Sequence, residues 1–167
     1  ILQTPQGTEE LPCSHAIFAI GHSARDTVSM LHDRGVNMEK KPFAVGVRIE
    51  HPREGIDRAQ YGRFAGHPAL GAADYKLNVT ADNGRGVYTF CMCPGGYVVN
   101  ASSESGLLAV NGMSYSKRDG KNANSAILVN VVPDDFNNSS PLAGIYFQKD
   151  LEEKAFILGG SNYFAPI

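Results

Sequence analysis

The feature that most constrains the fold is a series of short strand-like segments joined by tight turns. Residues 43–50 read Phe-Ala-Val-Gly-Val-Arg-Ile-Glu, with an apolar side chain at every second position. This period of two indicates a strand that is buried on one face. Turn formers stand at residues 82–84, Asp-Asn-Gly, and at 119–120, Asp-Gly. The strand pattern recurs four more times, at residues 75–80, 86–92, 96–101 and 125–132. Such spacing predicts a mostly antiparallel sheet, either open or barrel-like.

Helical patterns flank this predicted sheet. Residues 24–34 and 141–158 have apolar side chains at helical spacing. Ser23 and Asp26 stand three residues apart before the first of these helices, which is the pattern of a capping box. Residues 54–67 are interrupted by glycines, so we expect no more than about two helical turns there. Helices outside an antiparallel sheet define the α+β fold class.

The beginning of the chain differs in character from the rest. Residues 15–20, His-Ala-Ile-Phe-Ala-Ile, form an apolar run that stops at Gly21, which is typical of a fully buried strand of the parallel type. Strand, turn and helix together predict one domain over residues 1–36 and a second over 37–167. Because the chain opens without a methionine and ends without a polar tail, we expect it to be a piece of a longer protein.

Composition excludes several classes of partner. The net charge is −2, and basic and acidic residues are interleaved, so we expect no phosphate-binding patch and no nucleic acid partner. No apolar run approaches the ~18 residues of a membrane span, so we expect a soluble protein and no membrane partner. The 3 cysteines in 167 residues are too few for a disulfide framework and favour the cytoplasm.

Cys91 and Cys93 lie two residues apart in the stretch Phe-Cys-Met-Cys-Pro-Gly-Gly-Tyr at residues 90–97. On a regular strand both side chains face the same side, about 6.6 Å apart, with nearly parallel Cβ vectors, which resists a disulfide. A zinc site needs four ligands, and the histidines show no pairing at helical or hairpin spacing. We therefore expect reduced thiols and no metal. On the residues alone, the simplest interpretation is two small side chains on one face at the end of a strand.

Three other groups of residues leave both a structural and a functional interpretation open. The turn from Gly21 to Arg25 is either a simple tight turn or a place where backbone approaches an anion. The alternating polar residues of the first long strand, Arg48 and Glu50, with His51 after them, are either its solvated face or a cleft wall. The polar, glycine-containing segment 111–124 is either a long hairpin connection or a set of ligands for a polar molecule.

Six stretches that cover nearly the whole chain resemble one family. They read AIGHSARDT, KPFAVGVRIEHP, YGRFAGHPALGAADYKL, RGVYTFCMCPGGYVV, NGMSYSKRDGKNANSAILV and PLAGIYFQKDLEEKAF. They are similar to bacterial NAD(FAD)-utilizing dehydrogenases, which are large FAD-dependent flavoproteins. The resemblance implies that the first 36 residues come from a Rossmann-type FAD-binding domain and the rest from an inserted substrate or cap domain over the flavin.

The resemblance also gives roles to the candidate residues. The cofactor-binding candidates are Gly21, His22, Ser23, Arg25, Pro94, Gly95 and Gly96. The substrate-binding candidates are Glu50, Asn111, Ser114 and Arg118. The catalytic candidates are Cys91, Cys93, Arg48 and His51. For the two cysteines, the resemblance leaves open both a position near the flavin and a structural role at the end of a strand. The implied partners are the remainder of the FAD-binding domain and a small-molecule substrate, with NADH or NADPH as the reductant.

One element of an FAD site is missing from the sequence. A Gly-x-Gly-x-x-Gly loop, which holds the pyrophosphate at a helix N-terminus, does not occur in it. We therefore expect the chain alone to hold no FAD and to have no activity. The predicted function is that of the substrate-side domain of an FAD-dependent oxidoreductase. The alternative is a non-catalytic, β-rich ligand-binding module of flavoprotein ancestry.

Overall fold

A computed structural model describes residues 1–164 and divides the chain into two compact units, Ile1–Val36 and a second that begins at Asn37. The first unit contains a short antiparallel hairpin of β1 (Leu2–Thr4) and β2 (Gly7–Glu9). Its helix α1 covers Arg25–Asp33, which confirms the helix predicted at residues 24–34. Gly35 follows with a φ of 81°, a left-handed conformation that commonly ends helices.

Two predictions for the first unit are wrong. Residues 15–20 form no strand, and Ile17 in that run is 94% exposed. A strand needs a neighbour for its backbone hydrogen bonds, and no strand of the described residues pairs with this segment. The capping box does not form either. The Ser23 hydroxyl is hydrogen-bonded to the His22 ring at 2.9 Å, and α1 begins without a side-chain cap.

The second unit contains a four-stranded antiparallel sheet and a separate two-stranded hairpin. In chain order the strands are β3 (Phe43–Pro52), β4 (Asn78–Thr80), β5 (Gly86–Cys93), β6 (Gly96–Asn100), β7 (Val110–Ser114) and β8 (Asn122–Val131). The sheet order is β3-β8-β5-β4, and β6 pairs with β7. Every pairing is antiparallel, as predicted. Because β3 and β4 are free edges, the sheet is open and no barrel closes.

The helices of the second unit are α2 (Arg53–Tyr61) and α3 (Ala143–Leu158), and a 3₁₀ turn at Gly62–Phe64 follows α2. The predicted C-terminal helix is confirmed as α3. Helix α2 has 9 residues, about two and a half turns, which is close to the two turns predicted, and both carboxylate oxygens of its buried Asp57 have partners. One carboxylate oxygen of Asp57 accepts from the Ala73 backbone at 2.8 Å, and the other lies 3.3 Å from the Arg53 guanidinium.

The apolar core lies where α3 packs against the start of β3 and the end of β8. Val131, Phe136 and Ala143 are buried there, and the partly buried Phe43 and Phe147 pack against them. The Phe43 and Phe136 rings are stacked with centroids 5.3 Å apart. Stacked and tilted aromatic rings add to the stabilisation that burial provides. The core is therefore concentrated at one end of the β3–β8 pair.

Several strand assignments differ from the sequence prediction. Strand β7 lies in a segment that was interpreted as loop, β8 begins at Asn122 rather than at residue 125, and β4 starts at Asn78 rather than at residue 75. Strand β3 continues through Pro52, where the edge position makes the missing N–H harmless. Within residues 1–164, none of the helices has both the length and the apolar character needed to cross a membrane.

Candidate functional site

A cluster of polar side chains lies at the end of the β3–β8 pair that is remote from the apolar core. Arg48 and Glu50 stand two residues apart on β3, so their side chains leave the same face of the sheet. Across the pair, Arg48 is opposite Ala126 and Glu50 is opposite Asn124 on β8. The strand register therefore places two charged groups and a buried amide on one face.

The Arg48 guanidinium is anchored by two acceptors. Its Nη1 donates to the Cys91 carbonyl at 3.0 Å and to the Asn124 Oδ1 at 2.7 Å. Within residues 1–164, no carboxylate pairs with this half-buried guanidinium, and its Nη2 and Nε have no acceptor. Arg48 thus remains a positive group with unused hydrogen-bond donors.

Asn124 adds a second unused donor to the cluster. The residue is 0% exposed, and its Nδ2 finds no hydrogen-bond acceptor among the described residues. Turning the amide round would direct its NH₂ group at the guanidinium, so the bond from Arg48 fixes its orientation. A buried donor without an acceptor costs about 1–3 kcal/mol. The cluster therefore retains an energetic demand for an oxygen acceptor.

Glu50 is hydrogen-bonded to neither of these donors, and both of its oxygens accept from other groups. Its Oε2 accepts from the Val98 backbone of β6 at 2.9 Å, and its Oε1 accepts from Asn122 Nδ2 at 2.6 Å. The carboxylate thereby ties the β6–β7 hairpin to the sheet. Among residues 1–164, Arg48 has no carboxylate partner even though a carboxylate lies two residues away.

Strand β7 covers the cluster at Gly112. A Cβ atom at this position would collide with Asn124 Oδ1 and with Arg48 Nη1. Only a glycine lets the β7 backbone approach so closely. The Arg48–Asn124 contact is therefore enclosed between the sheet and the hairpin.

The two strand cysteines lie beside this cluster, but in a geometry that the sequence did not predict. Cys91 has a φ of 46°, and the β5–β8 register shifts between Phe90 and Cys93. This bulge breaks the alternation of side chains, so the expectation that both thiols share one face of a regular strand is wrong. Cys93 Sγ donates to the Cys91 carbonyl at 3.3 Å. All three cysteines of the chain are free thiols, and residues 1–164 contain no group of three metal-binding side chains.

The turn at Pro94, Gly95 and Gly96 has a structural reason for its glycines. All three residues are buried. Gly95 has a φ of 60°, and a Cβ there would collide with the Arg118 backbone, while a Cβ on Gly96 would collide with that of Met113. Close backbone packing therefore accounts for both glycines, and their contact with a cofactor stays a prediction.

The other second-unit candidates lie around the cluster rather than in it. His51 leaves the opposite face of β3 from Glu50, and its Nε2 is hydrogen-bonded to the Tyr75 hydroxyl at 2.8 Å. Asn111 is exposed, and its Oδ1 accepts a hydrogen bond from the Gly112 backbone N–H at 2.8 Å. Ser114 pairs with Gly96, and the Arg118 carbonyl accepts from the Arg53 guanidinium at 3.0 Å. Among the predicted site residues, the structure brings the Arg48 side chain into contact with the Cys91 backbone, and Glu50 lies on the same face of β3.

The remaining cofactor candidates belong to the first unit. Gly21 has a φ of 73°, and it and His22 are exposed. Ser23 and Arg25 are half-buried at the start of α1, where the Arg25 backbone N–H donates to the Ser23 carbonyl at 2.9 Å. This geometry is that of a tight turn before a helix, and a role in cofactor binding stays a prediction.

The sequence interpretation placed Asn122, Asn124 and Gly112 in a polar segment that could bind a polar molecule, but it missed that these residues lie on strands. The signal was present in Asn-Ala-Asn at residues 122–124. Its period of two continues into the next strand, so both amides belong to β8 and face the same side. That segment had been interpreted as loop because asparagine and glycine are frequent in turns.

Comparison with known proteins gives the family. A protein-family model described as "FAD-dependent protein, C-terminal domain-like" matches residues 42–167. The chain belongs to this family. A protein of Clostridium beijerinckii described as "Uncharacterized protein" is 55% identical over 160 residues, which is 95% of this chain and 30% of that protein. The chain thus spans about 30% of the length of that relative.

The described residues of this FAD-dependent family member do not form a complete FAD site. The unused donors of the half-buried Arg48 suit an oxygen acceptor, which a flavin ring or a substrate carries. The pyrophosphate needs a glycine-rich loop at a helix N-terminus, and no Gly-x-Gly-x-x-Gly spacing occurs in the sequence. The residues present therefore fit at most one part of the cofactor.

Proposed function

We propose that the chain is the substrate-side domain of an FAD-dependent oxidoreductase. The observation that carries this proposal is the half-buried Arg48 guanidinium, whose Nη2 and Nε have no acceptor among the described residues, in a member of an FAD-dependent protein family. A guanidinium with unused donors is suited to hold an oxygen-bearing molecule from outside its own chain. FAD supplies the redox chemistry when it is bound elsewhere in the parent protein.

In this function the chain's own residues bind and orient the substrate. Arg48 is held rigid by the Cys91 carbonyl and Asn124, which leaves the other side of its guanidinium for an acceptor. Glu50 keeps the β6–β7 hairpin in place. The remainder of the FAD-binding domain would be the partner, and NADH or NADPH would be the reductant.

The proposal predicts different flavin contents for the full-length parent protein and for this chain alone. We expect the purified full-length parent to show flavin absorbance. We expect the 167-residue chain, mixed with excess FAD and passed through gel filtration, to elute without it. The sequence has no Gly-x-Gly-x-x-Gly loop, whose pyrophosphate contacts would offset the cost of immobilising a large cofactor, on the order of 4–15 kcal/mol.

Two outcomes would contradict the proposal that the rest of the parent binds FAD and this chain binds the substrate. A parent that never carries flavin, even after reconstitution with FAD, would favour a non-catalytic β-rich ligand-binding module. A yellow chain with near-stoichiometric FAD after gel filtration would show that this domain holds a complete cofactor site.

A further inference from the structure

We propose that the groove between the free edge of β3 and helix α3 binds a small monocarboxylate with an apolar body. The inference names a substrate class for the proposed function. Only the description of the ligand as a substrate rests on that function. Binding in the groove requires neither flavin nor turnover. The argument depends on the groove walls, its charge and its unused donors.

The groove is of a size suited to a small ligand. It has a volume of about 390 Å³ and lies within the second unit. Its walls are residues 43–48 of β3, residues 108–110, and one side of α3 from Gln148 to Ala155. The Leu108 backbone N–H donates to the Glu152 carbonyl at 2.9 Å, which fixes the loop to the helix. Sites for small ligands commonly enclose about 300–1,000 Å³.

Apolar side chains form most of the walls. Val47 is 64% exposed and Leu151 is also exposed, although both line the groove. Apolar surface that remains in contact with water gains free energy when a ligand covers it. The walls therefore favour an aliphatic or otherwise apolar ligand body.

The anchor for the ligand's charge is Arg48, which also lines the groove. Its Nη1 is occupied by the Cys91 carbonyl and Asn124, whereas its Nη2 and Nε have no acceptor within residues 1–164. A guanidinium with two donors on one edge matches the two oxygens of a carboxylate. Asn124 is fully buried and does not line the groove, so its part is to hold the guanidinium in place.

The charge balance of the groove favours one negative charge on the ligand. Arg48 is the only basic residue that lines the described groove, and the acidic Glu152 lines it as well. A phosphate monoester carries close to two negative charges at neutral pH, which is more than one guanidinium balances. A monocarboxylate matches the single guanidinium.

The test uses hexanoate and hexan-1-ol as probes, because they share an aliphatic chain and differ in the carboxylate. Binding to the full 167-residue chain is followed by NMR titration. We expect saturable hexanoate binding and at least about tenfold weaker binding of hexan-1-ol, since the bond to Arg48 is charge-assisted. Equal binding of the two probes, or no binding of hexanoate, would overturn the proposal.

Two variants locate the site. Arg48→Gln should weaken hexanoate binding by about tenfold or more. Val47→Asp adds a negative charge on the other face of β3 from Arg48, at an exposed residue that lines the groove, and should also weaken hexanoate binding because it replaces apolar wall and repels an anion. Val79→Asp is the matched control, because Val79 is 63% exposed on the opposite edge strand and lies outside the groove. Hexanoate affinity that is equal in Val47→Asp and Val79→Asp would contradict the assignment, whatever the stability of Arg48→Gln.

This test and the flavin test can fail independently. A parent without flavin whose chain still binds hexanoate at Arg48 would refute the oxidoreductase proposal and leave the carboxylate site standing. A parent protein that contains flavin, together with a chain that does not bind hexanoate, would refute the carboxylate site alone.

Discussion

The two ends of the β3–β8 pair share a backbone ladder but differ in how their side chains are satisfied. At one end Phe43 is opposite Val131, and α3 with Phe136 covers the pair. At the other end Glu50 is opposite Asn124, and the covering β6–β7 hairpin leaves Asn124 Nδ2 without an acceptor. At the first end the apolar side chains pack against one another, whereas at the second end Arg48 and Asn124 have donors without acceptors among the described residues.

This difference indicates a division of work along a single pair of strands. Apolar burial is the main favourable term in folding, so the aromatic end should account for most of the stability. A buried polar group without a partner opposes folding, and proteins commonly retain such groups at functional sites. The polar end should therefore contribute little to stability and more to ligand binding.

The largest expected effect tests the aromatic end. Phe136→Ala removes a ring that is 5% exposed and packs against Phe43 and Phe147, so we expect a loss of about 3–5 kcal/mol in the free energy of unfolding. Urea denaturation measures it. The control is Phe90→Ala on β5, where the ring is exposed and the loss should stay below about 1 kcal/mol. Similar losses in the two variants would contradict the proposed division.

A smaller effect tests how tightly the polar end is covered. Gly112→Ala places a methyl group against Arg48 and Asn124, so β7 must move away, at a cost of about 1–3 kcal/mol. Gly86→Ala is the matched control, since Gly86 also lies in a strand and its Cβ would meet nothing within 4 Å. Thermal or urea unfolding of both variants provides the comparison. A Gly112→Ala protein as stable as the control would mean that the hairpin does not close over the cluster.

Local patterns in the sequence predict most of the fold. The alternation of apolar residues is sufficient to predict β3 and β5, and their helical spacing is sufficient to predict α1 and α3. Strand β7 was missed because Val-Asn-Gly-Met-Ser has turn-like composition, and only its pairing with β6 makes it a strand. The apolar residues 15–20 show the reverse error, because an apolar run without a pairing partner forms no strand.

The candidate site could be predicted only in part. The alternation along β3 places Arg48 and Glu50 on one face, and this much follows from the sequence. The contact of Arg48 with Asn124 depends on strand register, which local patterns do not specify. The bulge at Cys91 has no sequence signal either, because cysteine seldom adopts a positive φ.

The smallest expected effect is a pH dependence at the aromatic end. Just after β8, Asp135 forms an ion pair with the Arg85 guanidinium and accepts from the Val132 backbone N–H at 2.8 Å. The bonds from Arg85, together with that from Val132, favour the charged carboxylate and lower the pKa of Asp135 below its ordinary value. Both groups lie near the surface, so salt should weaken the effect.

The lowered pKa fixes the direction of this pH dependence. The pair stabilises the folded chain fully above the unfolded carboxyl pKa of about 3.9, and this contribution is lost as the pH falls through the lower folded pKa. Asp135→Asn should therefore melt below the wild type at about pH 6, and the gap should close toward about pH 2.5. Asp134→Asn is the control, since the neighbouring Asp134 is exposed. A gap that stays constant or widens on acidification would show that the charge of Asp135 does not stabilise this end of the sheet.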